Sequence, residues 1–430
     1  MIRALSHRNY RLFFSGQSIS LVGTWMTRIA TSWLVYRLTG SVLLLGIVGF
    51  AGQIPSFLLG PIAGVFVDRW NRHRLLVATQ ALAMVQSLAL ALLTFYKFIT
   101  MRDVLLLSVF QGVINAFDMP ARQAFMVELV EKQEDLANAI AMNSSMVNVA
   151  RLLGPSFGGI LIATVGEGWC FLLDGLSYLA VIASLLLMTI IPHDSQTKTA
   201  GNIGQQLYEG WTYVSGFLPI RNILLLLAVV SVVGMPYTVL MPVVADEILH
   251  GGPTALGLLM AAVGVGALGG AWILAARKSV LGLGKFIPLA TSTFGVGLIA
   301  FSFSRLLWLS LIFLVVTGLG FMVQMAGSNT LLQTIVESDK RGRVMSFYTM
   351  AVMGLTPFGS LLAGGVAHTI GVAYTLRLGG IGCIMAAWWF ARTLPMLRRE
   401  IRPIYVKIGL LTETATGIHR TSELPVPPAP

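Results

Sequence analysis

The sequence is poor in charge. Of its 430 residues, 11% are Asp, Glu, Lys or Arg, whereas 56% are hydrophobic. A soluble globular domain carries about 25% charged residues. The polar residues are too few to cover a body that faces water, so the composition excludes an ordinary soluble domain and indicates a protein whose solvent is lipid.

The sequence also lacks the residues of a disulfide framework or a metal site. Its two cysteines, Cys170 and Cys383, lie in apolar segments, and its six histidines are scattered at predicted helix ends and in loops. Neither pattern has the spacing of paired cysteines or metal ligands. We therefore predict no cofactor, no metal and no catalytic residues. A membrane-embedded enzyme is disfavoured because no paired carboxylates or Ser/His pair share one depth.

What the sequence does contain is a series of apolar segments near twenty residues long, the length that crosses a hydrocarbon core of about 30 Å. They predict an all-α membrane protein with twelve transmembrane helices. We place the helices near residues 11–37, 42–67, 73–95, 103–126, 140–164, 170–191, 222–244, 254–276, 286–303, 306–332, 344–367 and 372–394.

The basic residues are distributed unevenly over this segmentation. With a cytoplasmic N-terminus, 22 of the 29 Lys and Arg residues fall on the cytoplasmic side, five fall on the other side and two lie within helices. This bias is the positive-inside rule, and it predicts that both termini are cytoplasmic. The net charge of +11 is then explained by the membrane topology, so we expect no nucleic-acid partner. Separately, we expect the protein to be a monomer.

Two similar segments indicate an internal repeat. Gly154–Gly159 in predicted helix 5 and Thr356–Gly359 in predicted helix 11 both contain a proline beside glycines, almost half the chain apart. Many transporters are built from two such halves, with the substrate site between them. We predict an N-terminal half over 1–191, a cytoplasmic linker over 192–219, a C-terminal half over 220–394 and a cytoplasmic, disordered tail over 395–430.

The most specific motif follows predicted helix 2. The run from Gly64 to Arg74 resembles the signature of the major facilitator superfamily, G-x-x-x-D-R-x-x-R-[RK], and its matching or nearby positions are Gly64, Asp68, Arg69, Arg72 and Arg74. The resemblance implies a major facilitator fold of two six-helix halves, in which this loop is a latch that holds the inward side closed. The glycine would permit a close approach of helices. The alternative is a set of ordinary positive-inside charges.

Further segments resemble one branch of that superfamily, the bacterial enterobactin exporters and macrolide-type efflux proteins. They are Arg8–Leu12, Trp25–Ala30, Asp118–Ala124 and Arg341–Ser346, and the similarity runs from Arg8 to Leu394. It implies export of an amphipathic drug-like compound or siderophore across the bacterial inner membrane by alternating access, with protons moving in the opposite direction. A siderophore-specific exporter and an importer of another small metabolite stay open as alternatives.

One position departs from the related drug antiporters, which often carry R-x-x-Q-G in helix 4. Gln111 and Gly112 are present, but Ser108 stands where the arginine would be. Coupling through that arginine is therefore absent, and the proton site must lie elsewhere. In helix 5, a partial match to the family's antiporter motif is predicted to serve helix packing; it comprises Gly154, Pro155, Gly158 and Gly159.

Charged side chains within spanning helices are costly and indicate function by default. The candidates for coupling are Asp118, Arg122, Arg151 and Asp174. Asp118 either forms a pair with Arg151, Arg122 or a latch arginine that changes during transport, or forms a permanent ion pair that ties predicted helices 4 and 5 together. Asp174 is predicted about one turn inside the outer end of helix 6, where it can act in protonation or simply reach the interface.

The candidates for the substrate cavity include Arg28, because helix 1 lines the cavity in the resembling family. Arg28 would attract an acidic substrate, with Trp25 beside it for stacking or a cation–π contact. The alternative is a structural pairing of Arg28 with Asp174 or another carboxylate. Further polar candidates, which can bind substrate or bridge helices, are Gln111, Asn115, Gln324 and Asn329.

Overall fold

The computed structural model describes residues 3–130, 133–189, 203–277, 279–337 and 340–407, and within these ranges it contains helices and no strand. A short 3-10 turn, Arg3–Ser6, precedes the first helix. The helices of the first half are α1 (Arg8–Thr39), α2 (Val42–Ala51), α3 (Ile54–Arg69), α4 (Arg72–Phe95), α5 (Met101–Glu128), α6 (Gln133–Val165) and α7 (Glu167–Leu186). After α8 (Ile203–Gly216), those of the second half are α9 (Leu218–Ile248), α10 (Gly252–Ala275), α11 (Leu283–Phe303), α12 (Leu307–Ile335), α13 (Arg341–Ile370) and α14 (Val372–Lys407).

Eleven helical segments of the described chain are long and apolar enough to cross a membrane. Helices α2 and α3 form one of these crossings, interrupted at Gly52 and Gln53. Helix α1 is a further unit of spanning length, with 32 residues, but its serines, threonines and Arg28 lower its hydropathy. The described residues thus contain twelve units of spanning length, as the apolar segments predict.

The two halves pack their helices in corresponding pairs. In the first half α1 packs on α6 and α7, α4 packs on α5 and α7, and α3 packs on α5. In the second half α9 packs on α13 and α14, α11 packs on α12 and α14, and α10 packs on α12. Each pair in one half has its counterpart in the other, which is the arrangement that an internal repeat produces.

The halves meet through α6 against α10 and through α2 against α13. We call the end of the bundle that carries α8 the linker end and the opposite end the far end. Toward the far end the backbones touch: a methyl group on Gly159 of α6 would lie 2.7 Å from the Cα of Gly257 on α10, and one on Gly364 of α13 would lie 2.9 Å from the Cα of Gly46 on α2. Small residues permit this approach, so the far end is closed.

The linker end is open. A methyl group on Gly64 of α3, or on Gly269 of α10, would meet no described atom within 4 Å. The predicted close helix approach at Gly64 is therefore not found among the described residues in this conformation. The linker end is therefore less tightly packed around these two glycines than the far end is around Gly159 and Gly364.

Helix ends differ from the predicted ones at the linker and at the tail. The predicted linker contains α8, and α9 begins at Leu218, before the predicted boundary. The disorder predicted from residue 395 is wrong up to Lys407, because α14 continues as a helix whose buried Leu397 and Ile401 anchor it. Residues 408–430 lie outside the described part of the chain.

Helix α9 is irregular within its apolar length. It widens into π-type turns at Val230–Gly234 and Val244–Ile248, and it contains Pro236 and Pro242. Proline has no N–H to donate to the preceding turn, and π-type turns frequently occur at functional sites. Helix α13 has a similar turn at Met350–Gly354. Both helices belong to the second half and flank the boundary between the halves.

Candidate substrate site and coupling residues

Two arginine guanidiniums lie close to the ring of Trp25 on α1. The Cζ atom of Arg28 is 4.6 Å from the centroid of the Trp25 ring, and the Cζ atom of Arg151, on α6, is 5.0 Å from it. Gly154, one helical turn after Arg151, makes room for Trp25, because a methyl group there would lie 2.5 Å from the Trp25 Cβ. Both guanidiniums therefore have access to one aromatic ring.

This cluster lies on helices of the first half that contact the second half, since α1 approaches α9 and α6 packs on α10. Arg28 is exposed, although its neighbours Ile29 and Ala30 are buried. Arg151 lies near the middle of α6, because that helix begins at Gln133 rather than near residue 140. The Arg151 guanidinium also lies near Tyr237 of α9 in the other half.

Neither Arg28 nor Arg151 forms an ion pair with any acidic residue in the described part of the chain. The alternative pairing of Arg28 with Asp174 is therefore not what the structure contains. Two cations beside an indole ring can bind an anion that has a flat or apolar part, since cation–π contacts hold the guanidiniums on the ring.

The other polar candidates divide between the cavity and the helix interior. Gln111 donates to Asn115 over 3.1 Å, and both side chains are half-buried on α5. Gln324 is only 1% exposed, and its two amide atoms have no hydrogen-bond partner in the described chain. Gln324 is thus buried in the second half, away from the cavity surface. Asn329 is half-buried and accepts a hydrogen bond of 2.7 Å from Gln333.

Asp118 is neutralised within its own half. Its Oδ2 atom pairs with Arg122 on the next turn of α5. Its Oδ1 atom accepts hydrogen bonds from the Thr79 hydroxyl at 2.9 Å and the Gln80 amide at 2.7 Å, both on α4. Of the three partners considered for Asp118, the structure contains Arg122. Through Thr79 and Gln80, Asp118 therefore connects α5 with α4, which are predicted helices 4 and 3. It does not connect predicted helices 4 and 5, because Arg151 lies at the Trp25 cluster.

Asp174 is buried without a cation. Its side chain lies on α7 and is 2% exposed, and the structure shows no salt bridge to it among the described residues. The helix begins at Glu167, so Asp174 lies about two turns inside it and does not reach the interface. Ser87 of α4 contacts its Oδ2 atom at 3.0 Å, and the Thr27 hydroxyl of α1 lies beside the carboxyl group.

The geometry at Ser87 bears on the proton of Asp174. The Ser87 hydroxyl lies 2.9 Å from the Phe171 carbonyl oxygen as well as 3.0 Å from the carboxyl group. A hydroxyl has one hydrogen to donate. If that hydrogen goes to the carbonyl, the contact with Asp174 is a hydrogen bond only when the carboxyl group is protonated and donates. An unpaired buried carboxylate is costly. The competition for the Ser87 hydrogen and the burial without a cation therefore both favour the protonated form of Asp174.

Ser108 faces a helix contact instead of the cavity. Its Cβ lies 3.7 Å from the position that a methyl group on Gly52 would take, at the interruption between α2 and α3. The next turn of α5 packs there too, because a methyl group on Gly112 would lie 2.6 Å from the Gly52 carbonyl oxygen. An arginine at position 108 would have to displace this contact, which explains locally why a small residue is found there.

The described latch residues lie at the linker end of the first half. Arg72 pairs with Glu128 at the end of α5, within the first half. Arg69 and Arg74 are exposed, and Asn71 caps α4 by accepting a hydrogen bond of 3.0 Å from the Arg74 N–H. The side chain of Asp68 lies outside the described part of the structure. The motif is thus at the open end of the bundle.

The glycines of α6 face two different helices. Gly158 packs against Met26 and Ile29 of α1, whereas Gly159 and the Pro155 carbonyl oxygen pack against Gly257 of α10. This short segment therefore connects the Trp25 cluster with the contact between the halves.

The far end holds contacts that sequence reasoning missed. The Tyr36 hydroxyl of α1 donates to Glu247 of α9 over 2.8 Å and so bridges the halves. Beside it, Arg37 pairs with Glu167 of α7 over 2.6 Å. The one signal for this closure is the Asp246–Glu247 pair that ends a long apolar segment.

Comparisons with known proteins agree with one another. The profile of the Transmembrane secretion effector family matches residues 2–401. The chain is 26% identical to the Staphyloferrin A transporter of Staphylococcus aureus (strain NCTC 8325 / PS 47), covering 91% of this chain and 98% of the relative. It is 25% identical to Macrolide efflux protein A of Streptococcus pyogenes (93% and 99% covered) and 26% identical to the Multidrug efflux pump Tap of Mycobacterium tuberculosis (strain ATCC 25618 / H37Rv; 88% and 92% covered).

Solved structures are similar in fold. A bacterial homologue of the human lysosomal transporter Spinster, in an inward-facing and unoccupied conformation, superposes with a TM-score of 0.70 at 15% identity, covering 94% of this chain and 99% of that one. The nucleoside transporter NupG superposes with a TM-score of 0.70 at 12% identity, covering 92% and 99%.

Proposed function

The chain belongs to the Transmembrane secretion effector family of the major facilitator superfamily and is a secondary transporter that exports small molecules; from this premise we propose that its substrate is an anion with a flat or apolar part. The observation that carries the proposal is the pair of arginines at the Trp25 ring, without an acidic partner in the described chain. The proposal covers both a drug-like and a siderophore substrate, because either can carry an acidic group.

The pair of arginines makes closure of the transporter costly when no substrate is bound. Arg28 is exposed in this conformation, whereas the Nε atom of Arg151 is buried without a hydrogen-bond partner in the described chain. A conformational change that buries both guanidiniums would leave them without a carboxylate partner, and a buried cation without a partner is costly. An anion that enters with the cations offsets this cost, so the loaded transporter closes more readily than the empty one.

We further propose that export is coupled to protons through Asp174. Asp118 already has Arg122 as its counterion, whereas Asp174 has hydroxyl and apolar surroundings in the described chain. Asp174 also borders α1, since a methyl group on Gly23 would lie 2.7 Å from its Oδ1 atom. Protonation of Asp174 can therefore alter the packing of the helix that carries Trp25 and Arg28.

The proposed orientation places the linker end and both termini in the cytoplasm of a bacterial cell, with the protein in the inner membrane. The excess of basic residues at that end supports it. The conformation described above is then inward-open, ready to load substrate from the cytoplasm.

The test is efflux from cells loaded with an anionic dye or with neutral and cationic dyes of similar size. Arg28→Gln and Arg151→Gln should each lower efflux of the anionic dye at least tenfold at equal protein abundance. The matched control is Arg392→Gln, because Arg392 lies 3.7 Å over the ring of Trp388 on the exposed surface of α14. A protonophore should abolish the concentrative efflux.

Each part of the proposal has its own contrary result. If Arg28→Gln and Arg151→Gln reduce efflux of all dyes equally, or if cations are the preferred cargo, the anion proposal is wrong. If a protonophore leaves concentrative efflux unchanged, the proton proposal is wrong and the anion proposal stands.

A further inference from the structure

A second cavity lies inside the second half, at the linker end and apart from the Trp25 cluster. It has a volume of about 310 Å³ and is bounded by α9, α11, α12 and α14. Its inner wall is apolar and includes Ile223, Leu331 and Phe390, which are almost completely buried. This volume is at the lower end of the range of about 300–1,000 Å³ for small-molecule sites.

The mouth of this cavity is basic. Lys285 at the start of α11, and Arg398 and Arg402 on α14, line it together with Tyr405. Arg398 and Arg402 are one turn apart and so share a face of the helix. The described residues that line the cavity include three cations and no carboxylate.

The cavity lies where the bundle meets the interfacial layer of the membrane. The apolar wall belongs to the spanning parts of α9 and α12, and the basic mouth belongs to the ends of α11 and α14. Helix α14 continues past the predicted end of its span, and this extension supplies Arg398, Arg402 and Tyr405. An apolar slot with a cationic mouth at this depth matches a lipid with an anionic headgroup.

We propose that this cavity binds one anionic phospholipid, with its phosphate at Lys285 and Arg398 and the first part of an acyl chain against the apolar wall. The cavity is too small for a whole lipid, so the rest of the chains would remain in the bilayer. Such a lipid would fix the extension of α14 against α11. The site is independent of the substrate and coupling proposals above.

The test uses the full-length protein in detergent, titrated with phosphatidylglycerol or with phosphatidylcholine of the same acyl chains, and native mass spectrometry to count the retained lipids. We expect one phosphatidylglycerol to be retained per chain in preference to phosphatidylcholine. Each basic residue near an anionic membrane surface contributes about 1 kcal/mol, which is about fivefold in affinity. The variant Lys285→Gln/Arg398→Gln should therefore bind phosphatidylglycerol about 25-fold more weakly.

Two further variants distinguish a built site from diffuse surface charge. The control Arg221→Gln/Arg399→Gln removes two exposed cations that do not line the cavity, one from the start of α9 and one next to Arg398; it should retain the lipid. Gly284→Leu should fill the cavity while keeping its charges, because a methyl group there already lies 3.5 Å from Leu394; it should lose the lipid.

The proposal is overturned if the two lipids are retained equally, if the control pair loses as much affinity as the cavity pair, or if inorganic phosphate displaces the lipid at equal concentration. Gly284→Leu gives an independent answer should the double variant of the cavity not fold.

Discussion

Two aspartates buried in the same half differ in how their charge is balanced. Asp118 has a cation, the Gln80 amide and the Thr79 hydroxyl as partners, whereas Asp174 has only hydroxyl neighbours and no cation in the described chain. The Thr79 and Ser87 hydroxyls are each shared with a carbonyl group. Breaking a buried ion pair leaves an uncompensated charge and costs about 3–5 kcal/mol. Removing a carboxyl group that is already neutral leaves no such charge. The same substitution should therefore have different consequences at the two positions.

Asp174→Asn should leave thermal stability and abundance nearly unchanged and lower gradient-driven efflux at least tenfold, while downhill exchange of substrate persists. Asp118→Asn should lower the free energy of unfolding by about 3 kcal/mol, because Arg122 loses its counterion. The measurements are thermal unfolding in detergent and transport in proteoliposomes with and without a pH gradient. Unimpaired gradient-driven transport by Asp174→Asn would remove Asp174 from the coupling mechanism.

Sequence reasoning could find these residues but not their partners. Asp118, Arg151 and Asp174 stand out because charge is rare in apolar segments. Which of them pair depends on contacts between α4, α5 and α7 that join distant parts of the chain. The sequence allows Asp118 three kinds of partner, Arg122, Arg151 or a latch arginine, and does not choose among them. The contact of the Ser87 hydroxyl with Asp174 could not be predicted from the sequence pattern.

Helices α6 and α10 determine whether the far end is closed. Their backbones touch at Gly159 and Gly257, and the same segment of α6 packs on α1 through Gly154 and Gly158. A larger side chain in the contact cannot be accommodated by moving a flexible neighbour, since the nearest atoms are backbone. The helices would have to separate.

Gly159→Leu should therefore open the far end and reduce transport. Spin labels on cysteines introduced at Lys97 and Arg305, exposed positions in far-end loops of the two halves, should move apart. Gly60→Leu is the matched control, because a methyl group on Gly60 of α3 would meet no described atom within 4 Å. An unchanged label distance in Gly159→Leu would show that this contact does not control the far end.

The sequence predicts the positions of the helices better than it predicts the residues at which they end. The apolar segments locate the crossings, because length and hydropathy suffice for that. They could not predict that α14 continues to Lys407, since residues 395–407 are rich in arginine and contain two prolines. Tertiary contacts of Leu397 and Ile401 decide that extension.

The number of helices and the twofold repeat of the molecule follow from sequence, whereas its conformational state does not. Both inward-open and outward-open states use the same helices and nearly the same contacts within each half. They differ in which surfaces of the halves touch, here Gly46 with Gly364 and Tyr36 with Glu247. A hydrophobic pattern identifies buried faces but not the end at which two rigid halves meet.

The arginines at Trp25 have an electrical consequence. Both are carried by the first half, and no described acidic residue pairs with them. If the two halves rock during transport, this positive charge moves within the field of the energised membrane. One charge that crosses 100 mV changes the free energy by about 2.3 kcal/mol, so two charges that traverse a fifth of the field contribute about 1 kcal/mol.

Transport should therefore respond to voltage as well as to the pH gradient. In proteoliposomes held at equal pH on both sides, an imposed potential of about 100 mV should change the rate of substrate exchange about fivefold, and Arg28→Gln/Arg151→Gln should lose most of that response in whatever exchange remains. An equal response in the double variant would place the moving charge elsewhere. With a cell interior that is negative, the field attracts these cations inward and favours the conformation that faces the cytoplasm, so the resting membrane potential would itself return the empty carrier to its loading state.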